Sequence, residues 1–360
     1  MSLSSLVPAT TPLTAPLAAA DPTSGGLETI ATPTLWVVTI AAVLVLLAVD
    51  FVATRRPHEV SMREASLWSL FYIALPVAFG GWVIAEHGNE TGVSYYTGYI
   101  VEKSLSVDNL FVFMLLLSAF AVPKVLQQRV LLFGIIGALV LRGIFIALGA
   151  AALSAFTIVF LFFGLILLAT GAKLLRDALR GESEETPDPN EMRVVKVLRR
   201  FWPLTDDYQG TRMTVKQAGR RALTPLALVT VAVFMTDIVF AVDSVPAVYG
   251  ITSDPYLVFA TNAFALLGLR ALYFVIQGLL AQLVHLSYGL SIILGFIGVK
   301  LVLHWAHTVW ESVPLIGNRA SLAVVVGVLV VTTITSLLAV RREERRASVD
   351  GREVLEREVQ

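Results

Sequence analysis

The chain has 360 residues, of which 56% are hydrophobic and only 15% charged, with a mean hydropathy of +0.76. Soluble domains carry roughly a quarter of their residues as charges, so a water-soluble fold of this length is excluded. Formal net charge is zero and cysteine is absent. The overall balance therefore identifies no partner, nucleic acid is not expected, and disulfides, thiolate metal sites and cysteine nucleophiles drop out.

The apolar residues fall in blocks of about 18 or more, long enough to cross the hydrocarbon core of a bilayer. Residues 1–33 precede the first block; they are rich in Ala, Thr, Pro and Ser and contain no Lys or Arg. A secretory signal starts with positive charge, so a disordered external tail is predicted. Spans are then predicted at 34–54, 67–86, 97–121, 130–152, 154–174, 224–247, 256–281, 287–306 and 321–340. The expected fold is all-α and polytopic, a membrane domain over 34–340 followed by a tail at 341–360.

Basic residues set the predicted orientation. Three follow span one, two follow span three, ten lie in the loop 176–223 and six in the tail, whereas the opposite side holds only Arg319. The positive-inside rule places the amino terminus outside and the loop 176–223 and the carboxyl terminus in the cytoplasm. That loop reads as a connector, helical near 193–200. The tail alternates acidic and basic residues, as a solvated helical end does.

An internal repeat is written in the charges. Glu102 and Asp108 in span three correspond to Asp237 and Asp243 in span six, with the same spacing and similar context: SVDNL beside AVDSV. Arg142 matches Arg270, and Lys173 matches Lys300 within GAKL and GVKL. Spans three and six run in opposite directions, so spans 3–5 and 6–8 form an inverted repeat, an arrangement that places substrate near the midplane.

Charges inside spans cost about 2.5–3.5 kcal/mol each even on lenient insertion scales, and so ask for a purpose. Structural pairing of carboxylates with Arg142, Lys173, Arg270 and Lys300 is one reading; Lys103 reads as a stem reaching for the outer interface. A cation site is the other. Asp108, Asn109, Asp243 and Ser244 offer only oxygen ligands, the chemistry of hard ions such as magnesium, manganese and calcium. On one helix Glu102 and Asp108 do not share a face, whereas Glu102 and Asn109 nearly do. These groups could line one pathway as stacked layers, or through a break in span six, which Pro246 and Gly250 would permit. Asn262 needs a buried partner or a ligand. Asp50 is expected to pair with Arg55 or Arg56 at the interface. His285, His304 and His307 read as structural, and Glu86 and His87 as interfacial.

The strings EKSLSVDNLFVF from Glu102, VFAVDSVPAVYGIT, TNAFALLGLRALYF and FIGVKLVLH resemble the signature stretches of the TerC (tellurium-resistance) family of bacterial membrane proteins. The loop string FWPLTDDYQG is also similar, with Met213 where an aromatic is expected. The resemblance implies the lysine-exporter-like superfamily, a bacterial inner-membrane location and export of manganese. By motif position it implies a metal site of Asp108, Asn109, Asp243 and Ser244, with Glu102 and Asp237 as acidic neighbours and Asn262 on the pathway. Tellurite resistance would be indirect, since an acidic pathway suits an oxyanion poorly. The alternatives are export of another hard cation such as calcium, and an accessory protein that delivers metal to the secretion machinery. An intramembrane hydrolase using Asp108 and Asp243 as a dyad would leave the repeated bases without a purpose, so no enzymatic activity is expected. No tightly bound cofactor is expected; the partners are lipid and the divalent ion, with secretion-machinery or homo-oligomer contacts left open.

Overall fold

The computed structural model describes residues 29–53, 60–180, 193–205, 207–217, 220–277 and 285–358. Ten helices carry the chain: α1 (Pro33–Ala53), α2 (Met62–Ala119), α3 (Lys124–Ala155), α4 (Ile158–Arg180), α5 (Arg193–Phe201), α6 (Pro225–Tyr249), α7 (Pro255–Leu267), α8 (Leu269–Ile276), α9 (Leu286–Val309) and α10 (Asn318–Glu358). Strands β1 (Thr214–Gln217) and β2 (Arg220–Leu223) make a small antiparallel pair before α6. Helix starts follow local chemistry. Ser61 caps α2 with Glu64 three residues on, Thr224 and Asp254 cap α6 and α7, and Pro225 and Pro255 occupy the first turn, where a missing N–H does no harm.

Among the described residues seven helices are long and apolar enough to cross a membrane, or eight when α7 and α8, bent by 46° at Gly268, are taken as one span. The 58-residue α2 is not straight. Gly88 has φ +83°, a backbone state that suits glycine, and the chain reverses there. Tyr95 Oη donates to the Pro76 carbonyl at 3.1 Å and Tyr96 Oη to that of Val77 at 2.6 Å. A continuous helix would hold residues 19 apart at about 28 Å. The two arms therefore lie antiparallel, matching the separate spans predicted at 67–86 and 97–121. The interruption of span six that Pro246 and Gly250 would permit does not occur: α6 stays helical through Pro246, which costs only one bond near the helix end, and the break falls at Gly268 instead.

Packing is reciprocal. α3 lies against α6 and α2 against α7; α4 touches α6 as α9 touches α2; α4 packs along α9. The α4–α9 contact is close enough to need glycine. A Cβ at Gly164 would sit 2.9 Å from the Gly298 carbonyl oxygen, and one at Gly171 3.0 Å from that of Ser291. Small residues permit this approach, and dispersion then holds the pair without help from water.

Two apolar clusters fill the interior. One includes Leu131, Ile135 and Ala138 of α3 with Leu226, Val229 and Val233 of α6; the other takes Ile146 and Leu153 of α3 with Val245 and Val248 of α6. Arg142 and Asp237 lie where their helices pass from one cluster to the other.

Two predicted segments bear comment. Residues 1–28 of the predicted tail lie outside the described residues, but Asp254 accepts from Thr29 Oγ1 at 2.7 Å and from the Ile30 N–H at 2.8 Å, docking 29–30 on α7. In the connector, α5 matches the helix predicted near 193–200, while the strand pair went unanticipated.

Candidate functional site: a buried polar layer

Arg142 is the largest side chain with no exposed surface. A guanidinium stays charged even here, so it needs acids beside it. Its Nη1 makes a close ion pair with Glu102 Oε1, and also donates to Asn262 Oδ1 at 3.0 Å. Nη2 and Nε fork onto the two oxygens of Asp237 at 3.2 and 3.4 Å. Asn262 completes its own bonding by donating to the Val258 carbonyl at 3.0 Å. The second arm of α2, α3, α6 and α7 thus each supply one member. The layer joins Glu102, Asp237 and Asn262, expected along a pathway, to Arg142, expected as structural. With both acids ionised it carries one negative charge more than the arginine cancels.

The acids belong to two stripes. Glu102, Ser106 and Asn109 stand at i, i+4 and i+7 on α2; Asp237, Ala241 and Ser244 do so on α6, and all six are buried. Three oxygens in these stripes, Glu102 Oε2, Ser106 Oγ and Ser244 Oγ, have no hydrogen-bond partner among the described residues. Buried polar atoms are nearly always satisfied, so each of these oxygens calls for a partner such as water or an ion. Ser106 was not picked out from the sequence; its position four residues after Glu102 was the available signal.

Asp108 and Asp243 sit one position round from the stripes and are half-buried. Asp243 lies between the buried stripe of α6 and the exposed Met235, Val239 and Val242, within electrostatic reach of Arg142. Of the four predicted ligands, Asn109 and Ser244 are buried, and the aspartates flank them. Among the described residues no three His, Cys, Asp or Glu side chains are grouped as metal ligands. The predicted set has two carboxylates with an amide and a hydroxyl, a different composition.

A second buried network stands apart. Arg270 on α8 donates to Asp50 Oδ1 of α1 at 2.9 Å and to Gln128 Oε1 of α3 at 3.1 Å, with Tyr273 Oη 3.4 Å from Gln127 Oε1. Asp50 is buried and accepts from Arg270, a partner the sequence reading did not name; the pairing expected with Arg55 or Arg56 lies outside the described residues. The expectation for Lys103 is corrected. Its Nζ donates inward to the Ala265 carbonyl at 3.2 Å, one of the carbonyls that the break at Gly268 leaves without a helical partner. Lys173 is exposed, as a stem reaching the interface should be, and Lys300 bonds Asn318 Oδ1 at 2.9 Å. Among the described residues, pairing with carboxylates thus holds for Arg142 and Arg270, and not for these two lysines.

The geometry defines an all-α polytopic membrane protein with an acid-rich polar layer across its interior. The chain belongs to the TerC family of integral membrane proteins, whose family model matches residues 87–345. It is 41% identical over 330 residues to an uncharacterized membrane protein of Mycobacterium tuberculosis, covering 88% of this chain and 82% of that one. It is 38% identical over 313 residues to an uncharacterized membrane protein of Myxococcus xanthus, covering 87% and 94%. A candidate membrane-bound redox modulator of Escherichia coli, Alx, is 37% identical over 331 residues, covering 89% of this chain and 99% of that protein. No solved structure matches.

Proposed function

We propose that this chain exports a hard divalent cation, manganese, from the cytoplasm of a bacterium across its inner membrane in exchange for protons. The observation that carries the reading is the unbalanced polar layer: two buried acids on one arginine, on helices whose buried stripes hold three unsatisfied oxygens. Asp108, Asn109, Asp243 and Ser244 are the proposed ligands, all oxygen donors suited to a hard ion. Glu102, Asp237 and Asn262 hold Arg142 beside them and set the local charge. Metal and protons compete for the same carboxylates, so an ion entering from the cytoplasm displaces protons, and protons returning empty the site. The proposal includes no enzymatic step and no resident cofactor.

The reversal at Gly88 and the bent α7–α8 pair support nine crossings, and the basic connector and tail support a cytoplasmic carboxyl terminus. Reciprocal packing of α3 on α6 and α2 on α7, with α4 along α9, supports the inverted repeat. Two other readings have a named test. Calcium export and metal hand-off to the secretion machinery separate from manganese export when the purified protein alone is reconstituted and challenged with a panel of divalent metals. A redox role, as in the name of the E. coli relative, would have to run without thiols in this chain. For the site itself, Asp108→Asn and Asp243→Asn keep volume while removing a ligand charge. Both variants should reach normal abundance and leave cells sensitive to manganese. Protection equal to the parent by both variants would overturn the assignment.

A further inference from the structure

At the end of the bundle away from the β1–β2 pair, a cavity of about 590 Å³ opens between the last turn of α6, α9 and the start of α10. Its polar lining is Thr252, Ser253, Lys300, His304, Asn318 and Arg319. Lys300 is half-buried there. Its Nζ donates to Asn318 Oδ1 at 2.9 Å, and Asn318 Nδ2 passes the chain on to Ser94 Oγ at 2.7 Å. Among the described residues neither Lys300 nor Arg319 has a carboxylate within ion-pair distance. Glu90 lines the same cavity but is exposed, so water screens it. The cavity therefore holds one half-buried positive charge, Lys300, while the exposed Arg319 and Glu90 oppose each other at its rim. The first turn of α10 adds backbone N–H groups at the same mouth.

An ammonium held partly out of water without a counter-charge is costly unless something anionic joins it. We propose that this cavity binds a phosphate-type oxyanion, free or as a lipid headgroup, with Lys300 and Arg319 supplying charge and Thr252 and Ser253 donating hydroxyl hydrogen bonds. The lining has the wrong sign for a vestibule that gathers divalent cations, and the assignment stands independently of the export reading.

The test uses the purified full-length protein in neutral detergent, with thermal unfolding followed while inorganic phosphate replaces chloride at constant ionic strength. A second arm adds phosphatidylglycerol in place of phosphate. Saturable stabilisation of the parent by either additive is expected, and the arm that responds identifies the source. Because phosphate also stabilises proteins by exclusion from their surface, the variants decide. Lys300→Gln should weaken the apparent affinity at least about tenfold, the worth of one charge-assisted hydrogen bond. Arg319→Gln, at the exposed rim, cannot disturb the core and should weaken it less. Should Lys300→Gln fail to fold, Arg319→Gln alone decides. No saturable response of the parent in either arm, or variants that respond as the parent does, would overturn the site.

Discussion

Arg142 on α3 and Arg270 on α8 are matched in sequence and equally buried, yet their surroundings balance differently. Arg270 meets one carboxylate, Asp50, and one amide, Gln128. Arg142 meets two carboxylates, Glu102 and Asp237, and one amide, Asn262. Among the described residues the first set pairs charge for charge, with only Arg270 Nε unsatisfied, and clasps α1, α3 and α8 together. The second, with both acids ionised, carries one negative charge in excess, and its Glu102 Oε2 is unsatisfied. A neutral clasp has nothing to gain from a proton or a metal ion, whereas an acid-rich layer does. Of two otherwise similar arginine sites, the unbalanced one is suited to chemistry that changes during a transport cycle.

The largest effects should come from removing the arginines, and they should rank. Arg142→Leu strands two buried carboxylates; Arg270→Leu strands one. Breaking a buried pair from one side costs about 3–5 kcal/mol, so Arg142→Leu should yield little folded protein. Arg270→Leu should fold in part and melt well below the parent. Monodisperse yield in detergent together with thermal unfolding would show the order, and equal losses would remove the distinction between the networks.

The acids should then cross over. Asp50→Asn takes from Arg270 its one carboxylate among the described residues and should lower stability, with Asp50→Asn/Arg270→Gln recovering part of the loss because the pair loses both charges. Glu102→Gln leaves Arg142 paired one-to-one with Asp237 and removes the excess charge. It should therefore melt no lower than the parent while protecting cells from manganese less well. A Glu102→Gln protein that is both unstable and fully protective would invert the comparison.

The sequence made parts of this legible. Apolar blocks announce spans whatever their partners, and SVDNL beside AVDSV marks both stripes. Spacing along one helix fixes a face but not the neighbour that covers it. Asp50 reaches Arg270 because α1, which lies outside the matched strings, packs on α3 and α7; no count along the chain contains that contact. The GAKL and GVKL strings drew attention to their lysines, yet it is Gly171 and Gly298 that meet the backbone of the facing helix, while Lys173 and Lys300 go separate ways. Pro246 suggested a break that the end of α6 absorbs. Strands of four residues, TVKQ and RRAL, show too little alternation to stand out from a connector.

A bond outside both networks gives the smallest effect and a check on the ranking. Tyr208, in the connector before β1, donates its Oη to the Phe120 carbonyl at the end of α2 at 2.7 Å. Tyr208→Phe should cost about 0.5–1.5 kcal/mol, the net worth of one such bond, and should leave manganese protection unchanged. It also has a pH signature. Burial pushes the Tyr208 phenol from 10.0 up to about 12. The folded protein thus keeps this proton over a window where the unfolded chain has lost it. The contribution is fully present below pH 10 and is lost as pH rises from there toward 12. Thermal unfolding of parent and variant between pH 8 and 11.5 should show the parent's advantage shrinking above pH 10, while the order of the Arg142 and Arg270 variants, compared at pH 8, is untouched. A difference that stays constant across that range would mean that the phenol does not donate to α2, and that the connector is held there by its apolar contacts alone.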